Sequence, residues 1–141
     1  MKRILVGVDG SPEANLAIET AAGIARSTGA GVTLAYVVPR RPPPGAGQLA
    51  PDLVRADGLE QSYTAGLLHE AEILCSDAGV TPDTETLTGP IAETLADLAG
   101  SDGYDLIVVG HRGRGGVTRV LLGSVADRLL QISPRPVLVA R

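Results

Sequence analysis

Two segments of the sequence carry residue types suited to holding phosphate groups. Residues 8–11 read Val-Asp-Gly-Ser, which places a carboxylate two positions before a hydroxyl, and residues 110–125 are rich in glycine before Ser124. Because glycine has no Cβ, its backbone N–H group approaches an anion closely, in conformations that other residues avoid. The Asp9 carboxylate is suited to holding a divalent cation or a polar edge of a nucleotide. These two segments form the candidate site.

The second segment leads into a predicted helix, and helix amino termini attract anions through free N–H groups and the positive end of the helix dipole. Gly123 would then permit close approach, and the Ser124 hydroxyl would contact a phosphate oxygen. A simpler interpretation makes Ser124 only the N-cap of that helix. The segment lacks the Gly-Lys-Ser/Thr ending of a P-loop and follows the fourth strand rather than the first, so it matches neither common nucleotide loop.

Nine elements are predicted to position these segments. Apolar runs typical of strands buried on both faces lie at residues 4–8, 32–38, 105–110 and 136–140. Residues 84–88 carry a weaker signal and are predicted as the third strand. Helices are predicted after Ser11-Pro12-Glu13, from 52 to 78, after Gly89-Pro90 and from Ser124 to Ser133, with stops at Gly29, Gly79, Gly100 and Pro134. The apolar stripes of the two longer helices comprise Leu16, Ile18, Ala21, Ala22 and Ala25, and then Tyr63, Leu67, Ala71, Leu74 and Ala78.

The alternating order of strands and helices predicts an α/β fold, an open five-stranded parallel sheet with right-handed crossovers and helices on both faces, Rossmann-like. A chain of 141 residues suits one domain, residues 1–141. Ligands on such sheets bind past the carboxyl ends of the strands, where both candidate segments begin. Residues 39–51 are rich in proline and glycine and are predicted to form a surface loop.

Composition narrows the function classes. The net charge of -4 gives no general reason to expect nucleic acid or an anionic membrane as partner. Six arginines against two aspartates in residues 103–141 leave a local charge of +4, which favours an anion site; the scarcity of lysine offers composition as the alternative reason. A single cysteine, Cys75, excludes an internal disulfide, and we expect it to pack as a small apolar residue. Without a signal or membrane-spanning segment, a cytoplasmic location is expected.

The pattern Gly110-x2-Gly113-x9-Gly123-Ser124 resembles the nucleotide motif of the universal stress protein family, in the branch that binds ATP. Residues 4–11, 89–90, 105–110 and 136–139 resemble the family as well, so the similarity covers the whole chain. The resemblance implies a sheet order of 3-2-1-4-5 and a homodimer that pairs through the last strand, Val137 to Ala140.

The resemblance also implies roles for single residues. Val8 and Asp9 would line the nucleotide pocket, with Ser11 beside them, and the backbone of Val38 would meet the adenine. Gly110 and Gly113 would lie along the ribose and phosphates. The turn that holds the phosphates would consist of Gly123, Ser124 and Val125. His111 stands at a position that is more often small in the family and is expected near the ribose. Asp9 would hold Mg²⁺ or Mn²⁺ with the nucleotide.

Three functions remain open from the sequence. The first is an ATP-binding regulatory protein of the stress response. The second is a slow ATPase or a phosphoryl or nucleotidyl transferase, with Arg112, Arg114 or Arg119 and a metal on Asp9 stabilising charge. The third is a dimeric interaction protein that uses no nucleotide. The glycine loop does not separate ATP from AMP or a cyclic nucleotide.

The sequence shows no general base for the enzymatic alternative. His111 near Asp9 and Ser11 invites a hydrolase interpretation, although a satisfied or solvent-facing histidine is the simpler one. His69, in the second helix, is expected on the surface.

Overall fold

The computed structural model describes residues 1–39, 50–112 and 122–141. In chain order its elements are β1 (Arg3–Gly7), α1 (Pro12–Thr28), β2 (Gly31–Val38), α2 (Ala50–Asp77), β3 (Asp83–Thr88), α3 (Ile91–Ser101), β4 (Leu106–Gly110), α4 (Ser124–Ile132) and β5 (Val137–Ala140). The strands form one parallel sheet in the order β3-β2-β1-β4-β5, which confirms the predicted architecture and strand order. None of the described helices is both long and apolar enough to cross a membrane.

The strand order reverses between β1 and β4, because β1 pairs with β2 on one side and with β4 on the other. The register places Ile4 opposite Leu106 and Val6 opposite Val108, so both strands end at the same edge of the sheet. We call the edge where the strands have their carboxyl ends the carboxyl edge. The loops after β1 and β4 therefore leave this edge side by side, as ligand sites on open α/β sheets require.

Two apolar layers cover the sheet, one on each face. Ile4 and Val6 of β1 pack with α1 and α2, while Leu5 between them packs with α3 and α4, as the alternation of side chains along a strand dictates. The first layer is closed by alanines of α1 and by Cys75, which is fully buried as predicted. The carboxyl edge thus lies between two packed layers.

Helix α1 forms where the sequence predicts it. Ser11 is the N-cap, and Pro12 occupies the first turn, where its missing N–H group costs no hydrogen bond. Gly29 ends the helix with φ 78°, and its N–H group donates to the carbonyl of Ala25.

Several local predictions were wrong. Leu16 and Tyr63, assigned to the apolar stripes, are exposed at 37% and 41%; α1 instead buries Ala14 and Ala17 beside the other predicted residues. Helix α2 begins at Ala50, two residues early, while residues 40–49 of the predicted loop lie outside the described residues. Helix α3 passes Gly100 and ends at Ser101, with the N–H group of Asp102 donating to the carbonyl of Leu98.

At the amino ends of the strands, Asp105 links the start of β4 to the start of β1. Its Oδ2 accepts hydrogen bonds from the backbone N–H groups of Lys2 at 2.7 Å and Arg3 at 3.0 Å. These bonds lower the pKa of the Asp105 carboxyl, because they stabilise its charged form. The guanidinium of Arg3 lies 4.1 Å from the ring centroid of Tyr104, a cation–π contact. The start of β1 is therefore bound to the start of β4, far from the candidate site.

Candidate functional site

The first half of the candidate site is the turn after β1. The N–H group of Val8 donates to the carbonyl of Ala35 at 2.9 Å, which continues the pairing of β1 with β2 by one residue. Asp9 then accepts a hydrogen bond on Oδ1 from the N–H group of Ser11 at 2.9 Å. Gly10 between them has φ 79°, a left-handed conformation that side chains disfavour. The sequence Asp-Gly-Ser thus forms a tight turn that presents Asp9, half-buried, at the carboxyl edge.

Ser11 has a structural role in this turn. Its Oγ accepts a hydrogen bond from the N–H group of Ala14 at 3.1 Å, and its side chain is buried. The bond satisfies one of the backbone donors left open at the start of α1. The structure therefore shows Ser11 as the N-cap of α1, at the end of the Asp9 turn.

The second half begins at Gly110, the last residue of β4. A Cβ atom placed there would lie 2.6 Å from the carbonyl carbon of Glu13 and 2.8 Å from its Cβ. The backbone of β4 therefore packs directly on the first turn of α1, and only glycine fits at this contact. The sequence assigned Gly110 to ribose and phosphate contacts, and the structure gives it a packing reason as well.

His111 connects β4 to the start of α4. Its N–H group donates to the carbonyl of Ala140 at 2.8 Å, and its carbonyl accepts from the N–H group of Gly123 at 2.8 Å. These two bonds hold the first residue after β4 beside both the end of β5 and the start of α4. Gly113, together with Arg114 and Arg119, lies outside the described residues.

Gly123, Ser124 and Val125, which we call the phosphate turn, form the start of α4. Gly123 is the N-cap with φ −63° and ψ 154°, and the cap makes no side-chain hydrogen bond. The interpretation of Ser124 as the N-cap was wrong: Ser124 is the first helical residue, and its side chain is exposed. Val125 is half-buried and packs against the layer of α3 and α4. The first turn of α4 thus offers backbone N–H groups and one hydroxyl, and its N-cap glycine places no side chain across them.

Glu13 joins the two halves and was missed as a site residue. Its Oε1 lies 3.8 Å from Nη2 of Arg112, and the two side chains are 31% and 19% exposed. The sequence indicated Glu13 only as an acid in the first turn of α1. Its position in the chain could have revealed it: Glu13 comes two residues after the Asp9 turn, at the carboxyl edge to which the predicted topology also brings the end of β4.

Val38 ends β2 at the same edge. Its carbonyl accepts a hydrogen bond from the N–H group of Gly89 at 3.1 Å. A carbonyl has two lone pairs, so this bond leaves capacity for one further donor. Val38 is half-buried, next to the strand that carries Asp9.

The metal prediction rests on Asp9 alone. Within residues 1–39, 50–112 and 122–141, no three His, Cys, Asp or Glu side chains group together in a way that could hold a metal ion. Mg²⁺ in nucleotide sites takes one or two protein carboxylates and completes its shell with phosphate oxygens and water. The donor set around Asp9 therefore fits a cation that arrives with a nucleotide, and it does not form a cage of protein ligands.

Comparison with known proteins places these features in a family. Residues 1–141 match the model of the universal stress protein family. The universal stress protein MJ0531 of Methanocaldococcus jannaschii is 33% identical, over 99% of this chain and 82% of the relative.

Solved structures agree in fold. Universal stress protein UspA from Lactobacillus plantarum matches with a TM-score of 0.86 at 29% identity, covering 99% of this chain and 97% of the other. A universal stress protein in complex with cAMP matches with a TM-score of 0.73 at 26% identity, covering 99% and 96%. The fold described above thus recurs in solved universal stress proteins.

Proposed function

The chain belongs to the universal stress protein family, and from this premise we propose that it binds an adenine nucleotide, ATP, at the carboxyl edge between β1 and β4 as a regulatory module of a stress response. The observation that carries the proposal is the start of α4. Ser124 is exposed, the N-cap residue Gly123 has no side chain to place over the helix start, and the bond from Gly123 to His111 holds this turn beside the end of β4. A helix amino terminus with glycine at the N-cap, next to a parallel-sheet switch point, favours a phosphate group.

The ligand class is supported by chemistry and by a relative. One universal stress protein of this fold was solved in complex with cAMP, which supports an adenine nucleotide as the ligand here. We favour ATP because the glycine segment after β4 resembles that of the ATP-binding branch and because Asp9 suits a cation brought by several phosphates. Mg²⁺ or Mn²⁺ held by Asp9 and the phosphates would neutralise part of their charge.

A binding role is favoured over turnover by the contacts that Asp9 and Glu13 make. Oδ1 of Asp9 accepts the N–H group of Ser11, and Glu13 is paired with Arg112. A general base must be placed to accept the proton of an attacking water, and both carboxylates already make other contacts. We therefore propose that bound ATP acts by stabilising one conformation of the chain.

The experiment is to denature freshly purified protein and identify released nucleotide by chromatography and mass spectrometry, and then to titrate emptied protein with ATP, AMP and cAMP by calorimetry, with and without magnesium. Ser124→Ala is expected to retain much less nucleotide. Ser76→Ala, an exposed serine near the end of α2, is the matched control. Absence of nucleotide in the purified protein, together with no heat on adding any of the three ligands, would refute the proposal.

A further inference from the structure

The contact between α1 and the end of β4 has a backbone part and a charged part, and both involve Glu13. The backbone of Glu13 fills the space where Gly110 would carry a side chain. Its carboxylate reaches the guanidinium of Arg112, two residues further along the chain, at 3.8 Å. The side chain of Arg112 thus lies against the first turn of α1.

Arg112 also lies beside the phosphate turn. The residue before it, His111, accepts a hydrogen bond on its carbonyl from Gly123, the N-cap of α4, at 2.8 Å. The Arg112 side chain is only 19% exposed, so the surrounding protein restricts the position of its guanidinium group and shields it from solvent. A cation and an anion of this chain therefore stand together next to the proposed position of the phosphates.

The two charges have opposite effects on a bound anion. The Glu13 carboxylate alone would repel phosphate oxygens at the carboxyl edge, and this repulsion grows with the number of phosphates. Arg112 cancels that charge, and a guanidinium forms charge-assisted bonds with phosphate oxygens. A neutral ligand such as adenosine experiences neither effect to first order.

We propose that the Glu13–Arg112 pair sets the preference of this chain for the number of phosphates on the nucleotide. Arg112 favours the polyphosphate form, and Glu13 limits that preference by holding and partly neutralising Arg112. This inference rests on the proposed nucleotide site and assigns the selectivity of that site to two residues. One of them, Glu13, is not among the binding residues predicted from the sequence.

The test compares adenosine, AMP and ATP by calorimetry at low ionic strength, first in EDTA and then with magnesium, on four emptied proteins. Arg112→Gln is expected to raise the Kd of ATP about tenfold while changing that of adenosine less than about twofold. Glu13→Gln is expected to lower the Kd of ATP several-fold, and the double variant should lie near the parent protein. Added salt should reduce the difference between variants, because it screens charge.

Glu19→Gln is the matched control, since it removes an exposed acid from α1 six residues, or about 1.7 turns, further along the helix. Thermal unfolding of each variant separates folding from binding. Equal loss of affinity for all three ligands in Arg112→Gln would overturn the inference and make Arg112 a structural residue. Weaker ATP binding in Glu13→Gln would overturn it as well. Binding by none of the proteins, the parent included, would overturn the proposed function itself, whereas parent binding with an unchanged ATP-to-adenosine ratio in the variants overturns the inference alone.

Discussion

Gly110 and Glu13 meet so closely that a Cβ atom on Gly110 would lie 2.6 Å from the carbonyl carbon of Glu13. Helix α1 begins at the Asp9 turn, and β4 leads through His111 to the phosphate turn. The contact therefore fixes the separation of the two halves of the candidate site. Any side chain at position 110 would have to push α1 away from β4.

We expect Gly110→Ala to lower the free energy of unfolding by about 1–3 kcal/mol, the usual cost of overpacking a tight contact. Gly23→Ala is the matched control, because a Cβ there meets nothing within 4 Å in the middle of α1. It is expected to raise stability by about 0.5–1 kcal/mol, since alanine favours the helix. Urea unfolding followed by circular dichroism measures both. Effects of the same sign would contradict the packing role of Gly110.

Two serines that each stand at a helix start are expected to behave differently. Ser11→Ala removes the bond to Ala14 and should cost about 1 kcal/mol of stability. Ser124→Ala removes no cap bond, so its stability should stay within about 0.5 kcal/mol of the parent, while its affinity for ATP falls. Thermal unfolding and calorimetric titration of both variants provide the measurements. A large loss of stability in Ser124→Ala would show that the hydroxyl supports the helix after all.

The pH dependence of stability should reflect Asp105. Its pKa is held below the ordinary value of 3.8 by the N–H groups of Lys2 and Arg3. A folded-state pKa below the unfolded value adds stability that is fully present above the unfolded pKa and is lost as the pH falls through the folded pKa. Asp105→Asn should thus be less stable than the parent protein at neutral pH. The difference in stability between the two proteins should shrink as the pH falls below 3.8, the ordinary pKa of an aspartate. Urea midpoints measured across that range decide it, with Asp83→Asn, an exposed aspartate at the start of β3, as control.

The family resemblance leads us to propose a homodimer through β5, which pairs only with β4 within the described sheet. Val139→Lys, at a half-buried position of β5, should yield a monomer, because the charge would lie at the interface while the alkyl stem keeps local packing. Thr86→Lys on β3, the outer strand on the other side of the sheet, should leave the dimer intact. Light scattering after size-exclusion chromatography gives the mass. A monomeric parent protein, or a dimeric Val139→Lys variant that is fully folded, would refute the proposal.

The order and type of the elements were predictable because every strand except β3, whose sequence is mostly polar, is a largely apolar run, and because the helices carry recognisable starts or stops. Ser11, Pro12 and Gly29 show this for α1, since an N-cap, a first-turn proline and a left-handed glycine each act within a few residues. The exposure of Tyr63 was not predicted, because helical periodicity assigns a residue to a face but does not say how much of its side chain the neighbouring elements cover.

The candidate site was predictable only in part. The Asp9 turn and the start of α4 have local signals, and the predicted topology brings them to one edge. The Glu13–Arg112 pair joins residues 99 positions apart in the chain, and nothing in either local sequence indicates a side-chain contact at that distance. The same holds for the packing of Gly110 on Glu13, which is a property of two elements together.

The division of the apolar core into two layers has a consequence for how the chain opens. The Asp9 turn leads directly into the layer of α1 and α2, whereas the phosphate turn leads into the layer of α3 and α4. Regions packed separately can unfold locally as separate units, each with its own opening free energy. A nucleotide that contacts both turns would couple these openings, because each would have to break contacts with the same molecule. Hydrogen exchange would then slow in both layers together. Ligand binding would act by making the two layers open cooperatively, without a change in the shape of the protein.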